Sequence, residues 1–305
     1  MEELLAKYKK ESAKRKETPS SSEQRKGKVE PAKKARVEPR KEEFAADNGP
    51  PHFLILGAQK AGTMAAVKNL NKHPEVFCLK EPHFFDLGWH SKSVQSYRNQ
   101  FRGTGKKICG EKTPELIFVD HCATRIKQVC PMAKFVLMIR DPIKRAHSAW
   151  NMNRNRNTEM SPFDVCVDRN LANLDEYRSH GTAEYQYVQR GFYMDQISRW
   201  LNVFPNRDQL LIVIAEHLRG DKGKEEYNKI FKHIGASPIE AFVVEDEHVG
   251  SYGSGEGVAS GTISARVEAK LKKVYREHNE ALFEFLGFRI DEWIDCRESV
   301  VTASR

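Results

Sequence analysis

The run Phe53-Leu-Ile-Leu-Gly57-Ala-Gln-Lys60-Ala-Gly62-Thr63 constrains this chain more than any other stretch. Four consecutive apolar residues read as a buried strand, and Gly57 ends them in a turn. A lysine, a second glycine and a threonine follow before helical spacing begins at Met64. A strand, a glycine-bounded loop and a helix start in that order form an anion cradle. Backbone N–H groups at the helix N-terminus point outwards, and the helix dipole favours negative charge there. The expected ligand is a phosphate group.

The loop differs from the common pattern G-x-x-x-x-G-K-[ST]. Lys60 lies inside the loop, and Thr63 directly follows Gly62, so no hydroxyl follows a lysine where a magnesium ligand would stand. The sequence therefore points to nucleotide-phosphate chemistry without a metal. A second segment agrees. Lys134-Phe-Val-Leu-Met-Ile139 reads as a buried strand that delivers Arg140 to its C-terminal end, and Pro142 suits the first turn of the next helix. Ser148 falls six positions later on that helix, where a second phosphate could bridge it and Arg140.

Strand signals lie at Phe53–Gly57, Val76–Cys78, Lys107–Cys109, Phe135–Ile139 and Leu210–Ile214. Helical periodicity is expected over Met64–Lys72, Cys122–Val129, Ile143–Asn153, Phe163–Leu174, Phe192–Phe204, Lys224–Ile234 and Ser264–Leu286, with Ser161 as N-cap and Pro162 at the first helical position. Strands alternating with helices predict one α/β domain, a P-loop-like parallel sheet with helices on both faces and ligands at the strand C-terminal ends.

Together with Lys80-Glu81-Pro82-His83-Phe84-Phe85-Asp86 and Glu111-Lys112-Thr113-Pro114, these segments resemble the PAPS-dependent sulfotransferases, and in particular their carbohydrate, heparan sulfate sulfotransferase-like branch. The resemblance runs from about Pro51 to Gly287. It implies 3′-phosphoadenosine 5′-phosphosulfate (PAPS) as donor and 3′,5′-ADP as product, with no metal. It also implies that Lys60, Ala61, Gly62 and Thr63 hold the 5′-phosphate, and that Arg140 and Ser148 hold the 3′-phosphate. Carried over from the carbohydrate branch, Glu81 is the general base, Lys60 the cation at the leaving oxygen, and His83 and Asp86 orient the site or the acceptor. His83 is the alternative base, because the phenol and steroid branch uses histidine. Apolar Pro82, Phe84 and Phe85 would desolvate Glu81 and raise its pKa. Lys112 would face the acceptor or form a salt bridge with Glu81 or Glu111. The acceptor implied is a carbohydrate or a small hydroxylated molecule. The family's late basic loop is absent: His248-Val-Gly-Ser-Tyr-Gly-Ser-Gly-Glu-Gly257 is neutral to acidic and reads as a mobile lid, with Arg266 the first cation after it.

Composition separates a tail from the domain. Residues 1–48 carry 14 basic and 10 acidic side chains with only Tyr8 and Phe44 aromatic, so they cannot bury enough apolar surface and are expected to be disordered. Residues 49–305 form the domain, which keeps 36 basic against 32 acidic side chains and so suits an anionic ligand. A basic run, Pro31-Ala-Lys33-Lys34-Ala-Arg36-Val, resembles a nuclear-import signal or a solvated charge run. No apolar stretch reaches the ~18–20 residues of a membrane span, and no signal-peptide core is present, so the expected location is cytoplasmic. The Golgi-lumenal habit of the carbohydrate branch would apply only if an N-terminal anchor were missing. The six cysteines show no metal spacing. A P-loop kinase is disfavoured by the displaced lysine. A nucleic-acid-binding role is disfavoured because the tail interleaves acids with bases and lacks aromatics for stacking.

Overall fold

The computed structural model describes residues 49–174, 185–245 and 263–294. The tail, its basic run, the glycine-rich loop and Cys296 lie outside the described residues.

Strand β1 (Phe53–Gly57) is buried along its whole length and occupies the middle of a five-stranded parallel sheet. Its neighbours are β3 (Ile108–Lys112) and β4 (Lys134–Ile139), with Phe53 opposite both Gly110 and Lys134. β2 (Val76–Lys80) and β5 (Leu210–Ile214) form the edges, giving the order β2-β3-β1-β4-β5. Strands covered on both faces read as continuous apolar runs, which explains why β1, β4 and β5 stand out in the sequence.

The order also fixes where a ligand can sit. From β1 the chain passes through α1 (Thr63–Asn71) towards the β2 edge, whereas from β4 it passes through α4 (Pro142–Asn155) towards the β5 edge. Between them lie α2 (Val94–Asn99) and α3 (Cys122–Val129). Because the connections of adjacent β1 and β4 diverge, a crevice opens beyond their C-terminal ends. The Gly57 loop and Arg140 stand at its mouth.

Gly57 is required at the end of β1. Its φ is 135°, and a Cβ there would lie 2.5 Å from the Pro114 carbonyl oxygen. At Gly62 the φ of 80° lets the chain turn into α1. The first turn of α1 carries no acidic side chain to neutralise its exposed N–H groups.

Behind the crevice, α4 packs with α5 (Phe163–Ala172) and α8 (Ala265–Leu286) around Ala146, Trp150, Phe163, Val167, Leu271 and Tyr275. α6 (Tyr193–Val203) and α7 (Gly220–Ile234) complete the described helices. α5 starts at Phe163 as expected and ends at Ala172, short of Leu174, but Pro162 takes the cap position the sequence assigns to Ser161. Ser161 is engaged elsewhere: its N–H donates to Glu159 Oε1 (2.8 Å) and its hydroxyl accepts from Arg169 (2.9 Å).

The sheet departs most from the sequence reading at β3, which runs on through Gly110, Glu111 and Lys112, all buried. Gly110 passes so close to Phe53 that a Cβ would sit 2.4 Å from it. Glu111 is fully buried, with the Thr113 hydroxyl donating to its Oε2 (3.3 Å). Burial is the largest influence on its carboxyl and pushes the pKa up to about 8. The folded chain thus keeps this proton over a range where the unfolded chain loses it, so folding stability falls as pH rises from the ordinary carboxylate range to about 8. Glu111→Gln should flatten that part of the profile, as measured by denaturant midpoints across pH; an unchanged slope would rule out the buried neutral acid.

Candidate functional site

The crevice between β1 and β4 is a cleft of about 280 Å³ whose lining includes Lys60, Gly62, Arg140, Lys144 and Arg219. The Arg140 guanidinium donates to the Lys60 carbonyl (3.1 Å), so the residue ending β4 braces the loop ending β1. Arg140 is itself held by Tyr193, whose hydroxyl donates to the Arg140 carbonyl (2.7 Å). Asp141 caps α4 by accepting from the N–H groups of Ile143 (2.8 Å) and Lys144 (2.9 Å). Two acids also line the cleft, but both have partners. Glu216 accepts from the Asp141 N–H (3.0 Å), and Glu245 pairs with Lys72 (2.8 Å). Four cations against two engaged acids favour a polyanionic ligand.

The second half of the site is the Glu81–Asp86 segment. Glu81 and His83 flank Pro82, and both hold left-handed backbone, with φ of 48° and 49°. For residues with a Cβ this costs about 1–3 kcal/mol each, and such strain collects where geometry is under functional constraint. Two features hold it in place. The Glu81 N–H donates to the Lys112 carbonyl (2.8 Å), and Phe84–Gly88 form a π-helical turn closed by the Gly88 N–H on the His83 carbonyl (2.7 Å). Phe84 and Phe85 point away from solvent into a cluster with Trp89 and Tyr97, Phe84 stacking on Tyr97 at 4.4 Å between centroids.

Lys112 is fully buried at the end of β3, and its ammonium donates to Glu81 Oε1 and to the Met64 sulfur (3.1 Å). Of the two salt-bridge partners the sequence left open, it takes Glu81. The pairing corrects the expected direction of the Glu81 pKa. Burial is the largest influence and pushes it up, but the Lys112 hydrogen bond and charge, aided by His83 and Lys80, bring it below the ordinary glutamate value. Glu81 is therefore ionised at neutral pH.

His83 Nδ1 is 2.7 Å from Asp86 Oδ2. That bond is the main reason its pKa is raised; burial opposes it, and the charges of Asp86, Glu115 and Glu81 reinforce it. Asp86 is held below the ordinary aspartate value: burial acts to raise it, and the His83 bond and charge with the Leu87 N–H outweigh this. His83, Asp86 and Glu115 bring one ligand atom each within 4.8 Å of one another, a grouping that could hold a cation. Their charges are already met inside the protein, by the His83–Asp86 bond and by Arg190 on Glu115 Oε1 (3.4 Å).

The fold thus gathers Lys60, Ala61, Gly62, Thr63 and Arg140 at the crevice, and Glu81, His83, Asp86 and Lys112 beside it. Ser148 is buried on α4 and does not line the cleft. Arg145 of the same helix is wholly buried and donates to the Tyr187 carbonyl, a structural role. Arg266 pairs with Asp164 and Asp168 on α5. Lys144, Arg219 and Glu115 were missed by the sequence reading. Lys144 could have been found, since it follows Pro142 in the first turn of α4; the other two depend on tertiary placement.

A sulfotransferase domain family model matches residues 50–246. Heparan sulfate glucosamine 3-O-sulfotransferase 3B1 of Mus musculus is 29% identical over 256 residues, covering 78% of this chain and 63% of that protein. Heparan sulfate glucosamine 3-O-sulfotransferase 6 of Mus musculus is 30% identical over 178 residues, covering 57% of this chain and 49% of that protein. The chain therefore spans less than two thirds of the length of these relatives. The crystal structure of a sulfotransferase from Alicyclobacillus acidocaldarius has the same fold, with a TM-score of 0.66 at 22% identity, covering 80% of this chain and 98% of that one. The two mouse relatives are heparan sulfate 3-O-sulfotransferases, of the Golgi-lumenal branch, and they overturn the cytoplasmic placement expected from the sequence. No helix among the described residues is long and apolar enough to cross a membrane, which does not bear on location.

Removing the Lys112 ammonium leaves Glu81 with burial as its dominant influence. Lys112→Met should therefore move the Glu81 titration upwards, read by carbon-detected NMR of labelled glutamate side chains; a midpoint that stays put would show that the ion pair does not set it.

Proposed function

Because the chain belongs to the sulfotransferase domain family, we propose that it transfers the sulfuryl group of PAPS to a hydroxyl of a carbohydrate acceptor of the heparan sulfate kind. The observation that carries this reading is the Glu81 carboxylate, kept ionised by buried Lys112 one strand away from the phosphate loop.

In the proposed reaction the acceptor oxygen attacks sulfur in line with the bridging oxygen of the 5′-phosphate. The new O–S bond forms as the old S–O bond breaks, the acceptor proton passes to Glu81, and 3′,5′-ADP leaves. Such transfers run through a loose transition state, so position and charge do most of the work. Charge grows on the leaving phosphate, where Lys60, the N–H groups of Ala61, Gly62 and Thr63, and the α1 dipole would meet it. Arg140 would hold the 3′-phosphate, and Lys144 and Arg219, which line the same cleft, as buried Ser148 does not, would add the positive charge there.

Glu81 suits the base better than His83 does. A base must be unprotonated in the resting site, and Glu81 meets that condition at neutral pH, whereas its neighbours favour the imidazolium of His83. His83 and Asp86 would instead orient the acceptor.

Calorimetry should show 3′,5′-ADP binding at least about tenfold more tightly than 5′-AMP or ATP, a gap of ~1.4 kcal/mol. With PAPS and heparan sulfate oligosaccharides, Glu81→Gln should lower kcat by about 10²–10⁴. Lys60→Ala should abolish transfer, while Arg140→Ala, Lys144→Ala and Arg219→Ala should act mainly on the KM for PAPS. A fully active Glu81→Gln beside an inactive His83→Ala would reverse the base assignment. Transfer to small alcohols or phenols but not to glycans would move the acceptor class.

A further inference from the structure

We infer that Glu115 is a positioning residue for the acceptor side of this site, joining the phosphate loop to the His83–Asp86 pair. The inference rests on the proposed sulfuryl transfer for its kinetic consequence, though not for its geometry.

The backbone around Glu115 is fixed by β1. The Thr113 N–H donates to the Ile55 carbonyl (3.3 Å) and the Ile117 N–H to the Leu56 carbonyl (3.0 Å), while Pro114 presses on Gly57. From this turn the Glu115 side chain meets three elements. Its Oε1 accepts from Gln59 Nε2 (3.2 Å), the residue before Lys60. It also accepts from Arg190 (3.4 Å), a buried cation whose guanidinium lies 4.9 Å from the centre of the Phe118 ring. On the third side its carboxylate comes within 4.8 Å of the ligand atoms of His83 and Asp86. Glu115 Oε2 is buried with no hydrogen-bond donor among the described residues.

The charges facing His83 can be followed element by element. Asp86 on the π-helical turn, Glu115 after β3 and Glu81 two residues earlier all favour the cation. Buried Glu111 also faces it but keeps its proton to about 8. On the opposing side, Lys112 is tied to Glu81, Arg190 to Glu115, Arg125 to the Phe85 and Asp86 carbonyls, and Lys92 to the Pro82 carbonyl, with Lys80 beside Glu81. Lys112, Arg190, Arg125 and Lys92 therefore each have an oxygen partner, and Glu115 is the carboxylate that also grips the phosphate loop.

The test uses the full chain with Glu115→Gln and Glu115→Asp. The amide keeps an oxygen for Gln59 and Arg190 but removes the charge; aspartate keeps the charge at a shorter reach. The NMR titration of His83 should move to lower pH in Glu115→Gln and move less in Glu115→Asp. The sign follows because His83 loses its charge as pH rises through its raised pKa, and removing a neighbouring carboxylate lowers that pKa. The alkaline limb of kcat/KM for the acceptor should shift the same way, a loss of about threefold or more above the limb. Affinity for 3′,5′-ADP should stay within about threefold of wild type. An unmoved His83 titration, equal shifts in both variants, or a collapse of nucleotide affinity would each overturn the role given to Glu115. Should the wild-type chain transfer no sulfuryl group, the proposed function fails while the His83 titration still decides Glu115.

Discussion

The turn ending β1 lies so close to the Pro114 carbonyl that a Cβ at Gly57 would approach it to 2.5 Å, and the rest of the site takes its position from that contact. On one side of it the chain forms the loop that presents Lys60 and the open end of α1. On the other, the 113–117 turn stays hydrogen-bonded to β1 and fixes Glu115. Arg140 then closes the crevice from β4 by binding the Lys60 carbonyl. Two neighbouring parallel strands whose connections leave in opposite directions supply both walls, so the phosphate loop and the cation opposite it need no other scaffold.

The Glu81–Asp86 half of the site works by paired charges under partial burial. A buried ammonium is costly unless a hydrogen-bonded anion answers it. Lys112, without solvent contact, meets Glu81 on one side and the Met64 sulfur on the other. The pair keeps the carboxylate in its charged form and holds it at the rim. A few ångströms on, the logic runs in reverse, where Asp86, Glu115 and Glu81 make the imidazole the charged partner. The carboxylate and the imidazolium each persist because of the other groups' placement, and so the segment from Glu81 to Asp86 behaves as one unit with the end of β3.

The apolar strands and the amphipathic helices were legible because burial leaves a period. β1, β5 and α3 have the bounds their sequence suggests, and the phosphate loop, Arg140 and the Glu81–Asp86 segment were visible as local motifs. β3 was cut short because Gly110-Glu111-Lys112 looks like a polar turn; only the structure reveals a glycine packed on Phe53 and a lysine whose partner is 31 residues away. Ser161 misled in the opposite way, as a good cap sequence drawn off by Glu159 and Arg169. Glu115 and Arg219 had no local signal at all, because what matters about each is the neighbour supplied by another element. The raised pKa expected for Glu81 failed for the same reason: flanking phenylalanines are visible in sequence, and a salt bridge from β3 is not.

The left-handed backbone on both sides of Pro82 sets fold durability against performance. Glycine at position 81 or 83 would relieve the torsional penalty of the native chain while freeing the unfolded one and deleting a side chain the site employs. Selection for heat resistance alone would press on these two positions, and selection for turnover would restore them. A thermally hardened descendant of this sequence would therefore gain its robustness elsewhere and leave this short stretch uncomfortable.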